Sequence, residues 1–308
     1  MPSQFLGTPC PRASFLFVLE GSRALVFPMK PLILALLAAA SAAAGVTDHL
    51  GLQLYSLHVL EKQSGWAAVL DRTRELGFTE VEGGSAPKGL TTAQYKAEIA
   101  SRGLAMPSMG FDYGRLEKDA AGAVAEAKAL GVRYVMVPWI PHRDDEGFTL
   151  EEARKAAADF NAWGAAFRAA GIAFTYHPHG YEFRPRPDGT NLFDFLCAST
   201  DPRDVSFEMD VFWVTHGGQD PVKLLAKYPN RWRLMHVKDI RKGAPTGLYT
   251  GRAPATDDVA VGTGQVDWPA VLREAQAVGV QWYFIEDESD TPAVNIPKSV
   301  AYIRSLGL

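Results

Sequence analysis

Four polar side chains stand at the downstream ends of apolar, β-rich runs, and their types are those of a metal site. His177 closes the run 173–177, Asp210 closes 205–210, His236 lies near the end of 233–237 and Glu286 closes 282–286. Two imidazoles and two carboxylates are intermediate-to-hard ligands suited to one divalent ion, Mn²⁺, Zn²⁺, Co²⁺ or Fe²⁺, with water or substrate oxygens filling the remaining positions. Cysteine offers no competing centre. The chain has two, Cys10 and Cys197, without CxxC spacing, so neither a cysteine zinc site nor a disulfide scaffold is available. Each candidate also has a plainer reading. His177 and His179 flank Pro178 with period two and point the same way, which suits a buried structural pair. Asp210 suits a helix N-cap, and His236 suits a core histidine. Glu286 sits among Asp287, Glu288 and Asp290, as a solvated acidic loop would.

Further polar and aromatic residues fall at similar positions and are candidates to contact substrate. Glu82 precedes Gly83-Gly84 at the end of the second run, His179 follows the fifth, and Trp139 and His142 follow Val137-Pro138. Trp213 comes after Asp210, and His58 after the first run. For the aromatic rings, plain packing is the rival reading. Gly262-Thr263-Gly264 looks superficially like a phosphate loop, but no lysine follows, and it reads as a turn ahead of a helix at Trp268.

These residues need a scaffold that gathers strand ends. Eight β-rich runs, at 50–54, 79–81, 105–109, 133–137, 173–177, 205–210, 233–237 and 282–286, alternate with eight helical patterns at 66–76, 92–102, 118–130, 150–170, 192–198, 221–227, 268–278 and 296–306. Five of the helices run into a glycine and then an apolar residue, as in Leu76-Gly77-Phe78 and Leu130-Gly131-Val132. That is the signature of a left-handed C′ residue feeding the next strand. Eight such units predict a (β/α)₈ TIM barrel over 45–308, a single α/β domain. A doubly wound open sheet is the competitor, weakened because no GxGxxG follows the first strand. In a barrel, strands five to eight would carry His177, Asp210, His236 and Glu286 to one quadrant of the mouth. The Gly/Pro-rich loop 241–264 would shape specificity.

Composition narrows the partners. Of 308 residues, 47% are hydrophobic and 21% charged, as in a globular chain. Lys plus Arg number 31 against 35 Asp plus Glu, with no basic run, which argues against a nucleic-acid partner. Near the N-terminus, Met29-Lys30 precedes an apolar stretch and the small residues Ala42-Ala43-Ala44. The pattern predicts an export signal over 1–44, with Met29 as the true start, and a secreted or periplasmic mature protein. Nothing later is long and apolar enough to span a bilayer. A homo-oligomer stays open.

Together, Gly51-Leu-Gln-Leu-Tyr-Ser-Leu57, Tyr176-His-Pro-His-Gly-Tyr-Glu-Phe183, Glu208-Met-Asp210, His236-Val-Lys-Asp239, Gly262-Thr-Gly-Gln-Val-Asp-Trp268 and Phe284-Ile-Glu-Asp287 resemble the xylose isomerase-like TIM-barrel superfamily, in particular its sugar phosphate isomerase/epimerase branch. The resemblance implies one divalent metal held by a carboxylate on strand five, an Asp on six, a His on seven and a Glu on eight. Asp210, His236 and Glu286 match. His177 stands where many members have the first Glu, and Glu182, five residues on, is the other candidate to complete the shell. A second departure is Pro107-Ser108-Met109-Gly110, where a His is common in relatives.

The implied chemistry is proton abstraction beside a carbonyl, with the ion lowering the cost of the enediolate. Glu286 is the first candidate base, with Glu182 or His177 as the second group, and Lys238 would serve the developing oxyanion or a leaving group. The expected substrate is a neutral sugar or keto-sugar. Isomerisation or epimerisation is the leading reaction. Metal-dependent β-elimination from a 3-keto-glycoside or inosose-like substrate is the alternative, because His177 in place of a glutamate weakens a symmetric two-base epimerase. A non-catalytic carbohydrate-binding barrel is the reading from another class. The superfamily also includes a three-zinc DNA-repair endonuclease, but that function needs more ligands and a basic face.

Overall fold

The computed structural model describes residues 45–143 and 147–308. The segment read as an export signal, 1–44, lies outside the described residues. Eight parallel strands close into a barrel: β1 (Leu50–Gln53), β2 (Glu80–Gly83), β3 (Ala105–Gly110), β4 (Tyr134–Val137), β5 (Ala173–Tyr176), β6 (Val205–Asp210), β7 (Trp232–Val237) and, after two short strands, β10 (Trp282–Ile285). Around the ring the order is β1-β10-β7-β6-β5-β4-β3-β2, so the last strand seals against the first. The TIM barrel is the observed fold, and each of the eight runs read from the sequence is one of its strands. The short strands β8 (Asp239–Ile240) and β9 (Asp258–Val259) pair antiparallel within the connection that follows β7.

The helices are α1 (His58–Ser64), α2 (Trp66–Glu75), α3 (Thr92–Ser101), α4 (Tyr113–Leu130), α5 (Leu150–Ala169), α6 (Leu192–Ser199), α7 (Val211–His216), α8 (Pro221–Lys227), α9 (Trp268–Val278) and α10 (Pro292–Ser305). Local chemistry sets their ends. Thr91 and Thr149 form reciprocal capping boxes with Gln94 and Glu152. The glycines after five helices, Gly77, Gly103, Gly131, Gly171 and Gly279, all have φ between 65° and 90°, the left-handed turn expected of them. The helix expected from Lys118 begins earlier, at Tyr113. Its backbone breaks at Asp119 (φ −157°), whose carboxylate accepts from the Gly122 N–H at 2.8 Å and recaps the second half. The helix expected from Ile296 begins at Pro292, because a proline in the first turn sacrifices no helical hydrogen bond. The short helices α1 and α7 had no periodic signal of their own.

Inside the barrel, Tyr134, Leu234, Trp282 and Phe284 pack as one apolar layer. Gly51 belongs to this packing, since a Cβ there would lie 2.7 Å from the Phe284 ring. Outward residues such as Phe174 and Tyr176 instead meet Phe160 of α5. Strand alternation therefore divides each strand between two cores, and polar side chains are concentrated in the barrel interior towards the C-terminal ends. Among the described residues no helix is long and apolar enough to cross a membrane. Cys197 is a buried free thiol, as its surroundings in α6 require.

Candidate active site

Strands β5, β6, β7 and β10 are consecutive neighbours in the barrel, and their C-terminal ends carry His177, Asp210, His236 and Glu286. All four side chains are buried. Asp210 Oδ2 lies 3.6 Å from His177 Nε2 and 3.7 Å from His236 Nδ1, and His236 Nδ1 lies 3.1 Å from Glu286 Oε2. The N-cap reading of Asp210 holds and leaves its other oxygen available to the cluster. Its Oδ1 accepts from the Trp213 N–H at 2.9 Å and caps α7, which frees Oδ2 to face the histidines. The acidic-loop reading of Glu286 does not hold, because the side chain points inward against His236 and Lys238.

The donor set fits a divalent ion. His177 Nε2 and Asp210 Oδ2 are buried without a hydrogen-bond partner, which native interiors rarely tolerate. Donors sharing one ion at roughly 2.1 Å lie about 3–4 Å apart, and His177, Asp210 and His236 form such a group, with Glu286 reaching it through His236. Charge points the same way. Burial and then the adjacent His236 and His179 push the His177 imidazole well below its ordinary range, so it is the neutral ring that a metal ligand must be. Asp210 is raised chiefly by burial. Burial alone would lower His236, but the surrounding Glu208, Glu286 and Glu82 carboxylates overcome it and hold the imidazolium well above its usual range. To become a ligand this ring would have to give up its Nδ1 proton, and a cation there would replace that proton and balance the carboxylates around it.

Two glutamates support this cluster from below. Glu82 Oε1 pairs with His236 Nε2 at 2.6 Å and its other oxygen accepts from Ser108 Oγ at 2.5 Å. Glu82 is therefore deep in the barrel and supports a histidine, instead of meeting substrate at the rim as expected. Glu208 was missed as a site residue. Its Oε2 lies 3.2 Å from His177 Nδ1, and its Oε1 lies 3.3 Å from His236 Nε2. By fixing Nδ1, it turns Nε2 of His177 towards Asp210, the carboxylate–histidine arrangement that sets ligand tautomer and basicity. Period two was the available signal, since Ser206, Glu208 and Asp210 share the inward face of β6. The strand pairing slips beside both glutamates, between Glu80 and Glu82 and between Phe207 and Glu208, as irregular pairing near sites often does.

Glu182 does not join the cluster. Its carboxylate accepts from the Tyr176 hydroxyl and, at 3.1 Å, from the His179 N–H. Tyr176 faces the helices, so Glu182 lies behind the barrel wall, and burial raises it to about 7. Lys238 lies beside Glu286, donating to Oε2 at 3.2 Å and also to Glu288. Despite burial, the Glu286 and Glu288 carboxylates hold this ammonium well above its normal range. In return, Lys238 and then His236 overcome burial and hold Glu286 well below the ordinary carboxylate range.

A cavity of 570 Å³ opens onto His177, His179, His236 and Glu286, with Gln53, Asp112 and Arg115 also in its wall. The last three were missed, although Gln53 ends β1 and Asp112 and Arg115 follow β3. Burial pushes His179 down to about 4, so its ring is neutral towards the cavity. Trp139 and His142 stack on each other at 4.9 Å and pack on Tyr181, seating the loop at Gly251 instead of lining this cavity. Trp213 and His58 line an adjoining cavity. The Gly262–Gly264 turn cradles a carboxylate: the N–H groups of both glycines donate to Asp239 Oδ2, at 2.9 and 3.1 Å.

Comparison with known proteins agrees with this architecture. A sugar phosphate isomerase/epimerase from Parabacteroides distasonis is 27% identical, with a TM-score of 0.68, and the match covers 86% of this chain and 96% of that one. A second such protein from the same organism is 24% identical at a TM-score of 0.66, covering 82% and 97%. The inosose dehydratase of Geobacillus thermodenitrificans is 27% identical over 168 residues, 51% of this chain and 55% of the dehydratase. The chain thus spans about half the length of the curated relatives it matches. Residues 70–306 match the family described as xylose isomerase-like TIM barrel, and the chain belongs to that family.

Proposed function

We propose that this protein is a divalent-metal-dependent enzyme that removes a proton beside the carbonyl of a neutral sugar or keto-sugar and returns it in an isomerisation or epimerisation. The observation that carries this reading is the pair of unpartnered atoms, His177 Nε2 and Asp210 Oδ2, set beside His236 and Glu286 at the floor of a sugar-sized cavity. His177, Asp210, His236 and Glu286 would hold the ion, which would supply Lewis-acid polarisation of a carbonyl oxygen. Glu286 remains ionised and is placed to take the proton. Lys238 remains charged beside it and stabilises negative charge that develops on a substrate oxygen. The neutral His179 ring faces the same cavity as a second proton-accepting group.

β-Elimination is the second reading. It is favoured by the fixed Lys238 charge beside the base, which suits a departing hydroxyl or alkoxide, and by the inosose dehydratase relatives. The test is metal content of the purified protein with His177→Ala, Asp210→Ala and His236→Ala, followed by exchange of solvent deuterium into ketoses and 3-keto-glycosides. Near-stoichiometric metal lost in the variants, with deuterium at an α carbon, is expected; product analysis then separates isomer from eliminated product. A metal-free protein that exchanges nothing even after reconstitution would overturn the proposal and favour a binding barrel. The site is also proposed to work outside the cytoplasm, after removal of 1–44. N-terminal sequencing of the exported protein checks this, and retention in the cytoplasm with an intact leader would refute it.

A further inference from the structure

The reacting site does not end at the first cavity. A second, of 410 Å³, adjoins it, and the two share Tyr55 and Glu288 in their walls. Each lies within the roughly 300–1,000 Å³ of small-molecule sites. The Lys238–Glu286 pair spans them, since Glu286 lines the first and Lys238 the second. The second cavity carries the features of a sugar subsite. Tyr55 is 55% exposed, and its ring is held flat by stacking on His58 at 4.6 Å and 12°. Stacking on apolar ring faces is how an aromatic side chain with a polar rim takes a pyranose. Opposite chemistry is present too. Asp258 lines the cavity, is 5% exposed, and its Oδ1 has no hydrogen-bond partner, while Oδ2 accepts from the Glu288 N–H at 2.6 Å.

One wall of this space is built, not incidental. It comes from residues 251–255 of the connection after β7. Arg241 and Asp257 pair at 2.6 Å at the base of this loop. Gly251 (φ 62°) packs so close to Trp139 that a Cβ would lie 2.8 Å from the indole. A loop fixed at both points borders a volume that a single sugar ring in the first cavity would leave empty.

We infer that the second cavity is a subsite for a second pyranose ring, so that the substrate is a disaccharide or similar glycoside whose reacting ring lies over the metal cluster and whose partner ring stacks on Tyr55. This rests on the carbohydrate reading above. The test is calorimetric binding to the metal-loaded protein of a panel of neutral hexoses and of their α- and β-linked disaccharides, with Tyr55→Ala and Ala255→Trp. Ala255 lines the second cavity and not the first, and an indole there would crowd the space a second ring needs. At least one disaccharide is expected to bind tenfold or more tightly than its constituent hexoses. Ala255→Trp is expected to erase that gain while leaving hexose affinity within twofold, and Tyr55→Ala to reduce the gain. Hexose binding with no gain for any disaccharide, or a gain that survives Ala255→Trp, overturns the subsite and leaves the carbohydrate reading standing. No binding of any sugar overturns both.

Discussion

At the scale of single residues, the site works through atoms whose second partner is already spoken for. His177 and His236 each commit one ring nitrogen to a buried glutamate, Glu208 and Glu82, and so present the other upward. An outer partner of this kind commonly governs ligand affinity by about tenfold to a hundredfold. Glu208→Gln is therefore expected to weaken metal binding by about that much, measured by competition with a chelating dye, with Glu208→Asp recovering part of it. Unchanged affinity in Glu208→Gln would reduce Glu208 to packing. Glu208 lay in plain view as Glu208-Met-Asp210, and period two puts it on the face of Asp210, but that it reaches His177 and His236 shows only once the strands are assembled.

At the scale of elements, two loops carry distinct expectations. Behind β5, Glu182 is raised from 4.5 to about 7 by burial. The folded state then binds more protons than the unfolded one between those values, so stability falls as pH rises from about 4.5 to 7, by on the order of 3 kcal/mol in full. Glu182→Gln removes this dependence: urea unfolding at pH 5 and pH 8 is expected to show the variant gaining on the wild type at the higher pH. Equal differences at both would mean that Glu182 stays ionised when folded. After β7, a Cβ at Gly264 would collide with Asp239 Oδ1 and with the Ile240 carbonyl. Gly264→Ala is expected to destabilise by about 1–3 kcal/mol or more, as overpacking does, read as a lowered urea midpoint. A neutral result would show that the turn can move away from Asp239.

For the whole molecule, the barrel ring closes through β1 against β10, and the cluster ties β5, β6, β7 and β10 together at one end. A cation bound there is bound by the fold and not by the open chain, so a ligand at a hundredfold its Kd adds about 2.7 kcal/mol. Dialysis against a chelator is expected to lower Tm by several degrees, with Mn²⁺ or Zn²⁺ restoring it and His236→Ala insensitive to both. A chelator-independent wild-type Tm would argue against a folded-state metal.

Much of this molecule is legible in the order of its residues. Period-two and period-3.6 patterns, punctuated by glycines that need positive φ, specify eight strand–helix units, because backbone geometry is local. Strand-end positions single out His177, Asp210, His236 and Glu286, because in such a barrel chain order and position around the mouth are linked. The tertiary structure decided the rest. Glu182, five residues from His177, turned out to face Tyr176 behind the wall, while Glu82, 154 residues from His236, sits 2.6 Å from it. Which side of a strand faces the lumen, and which side chains meet across it, are properties of register and shear across the whole ring. No local stretch of chain contains them.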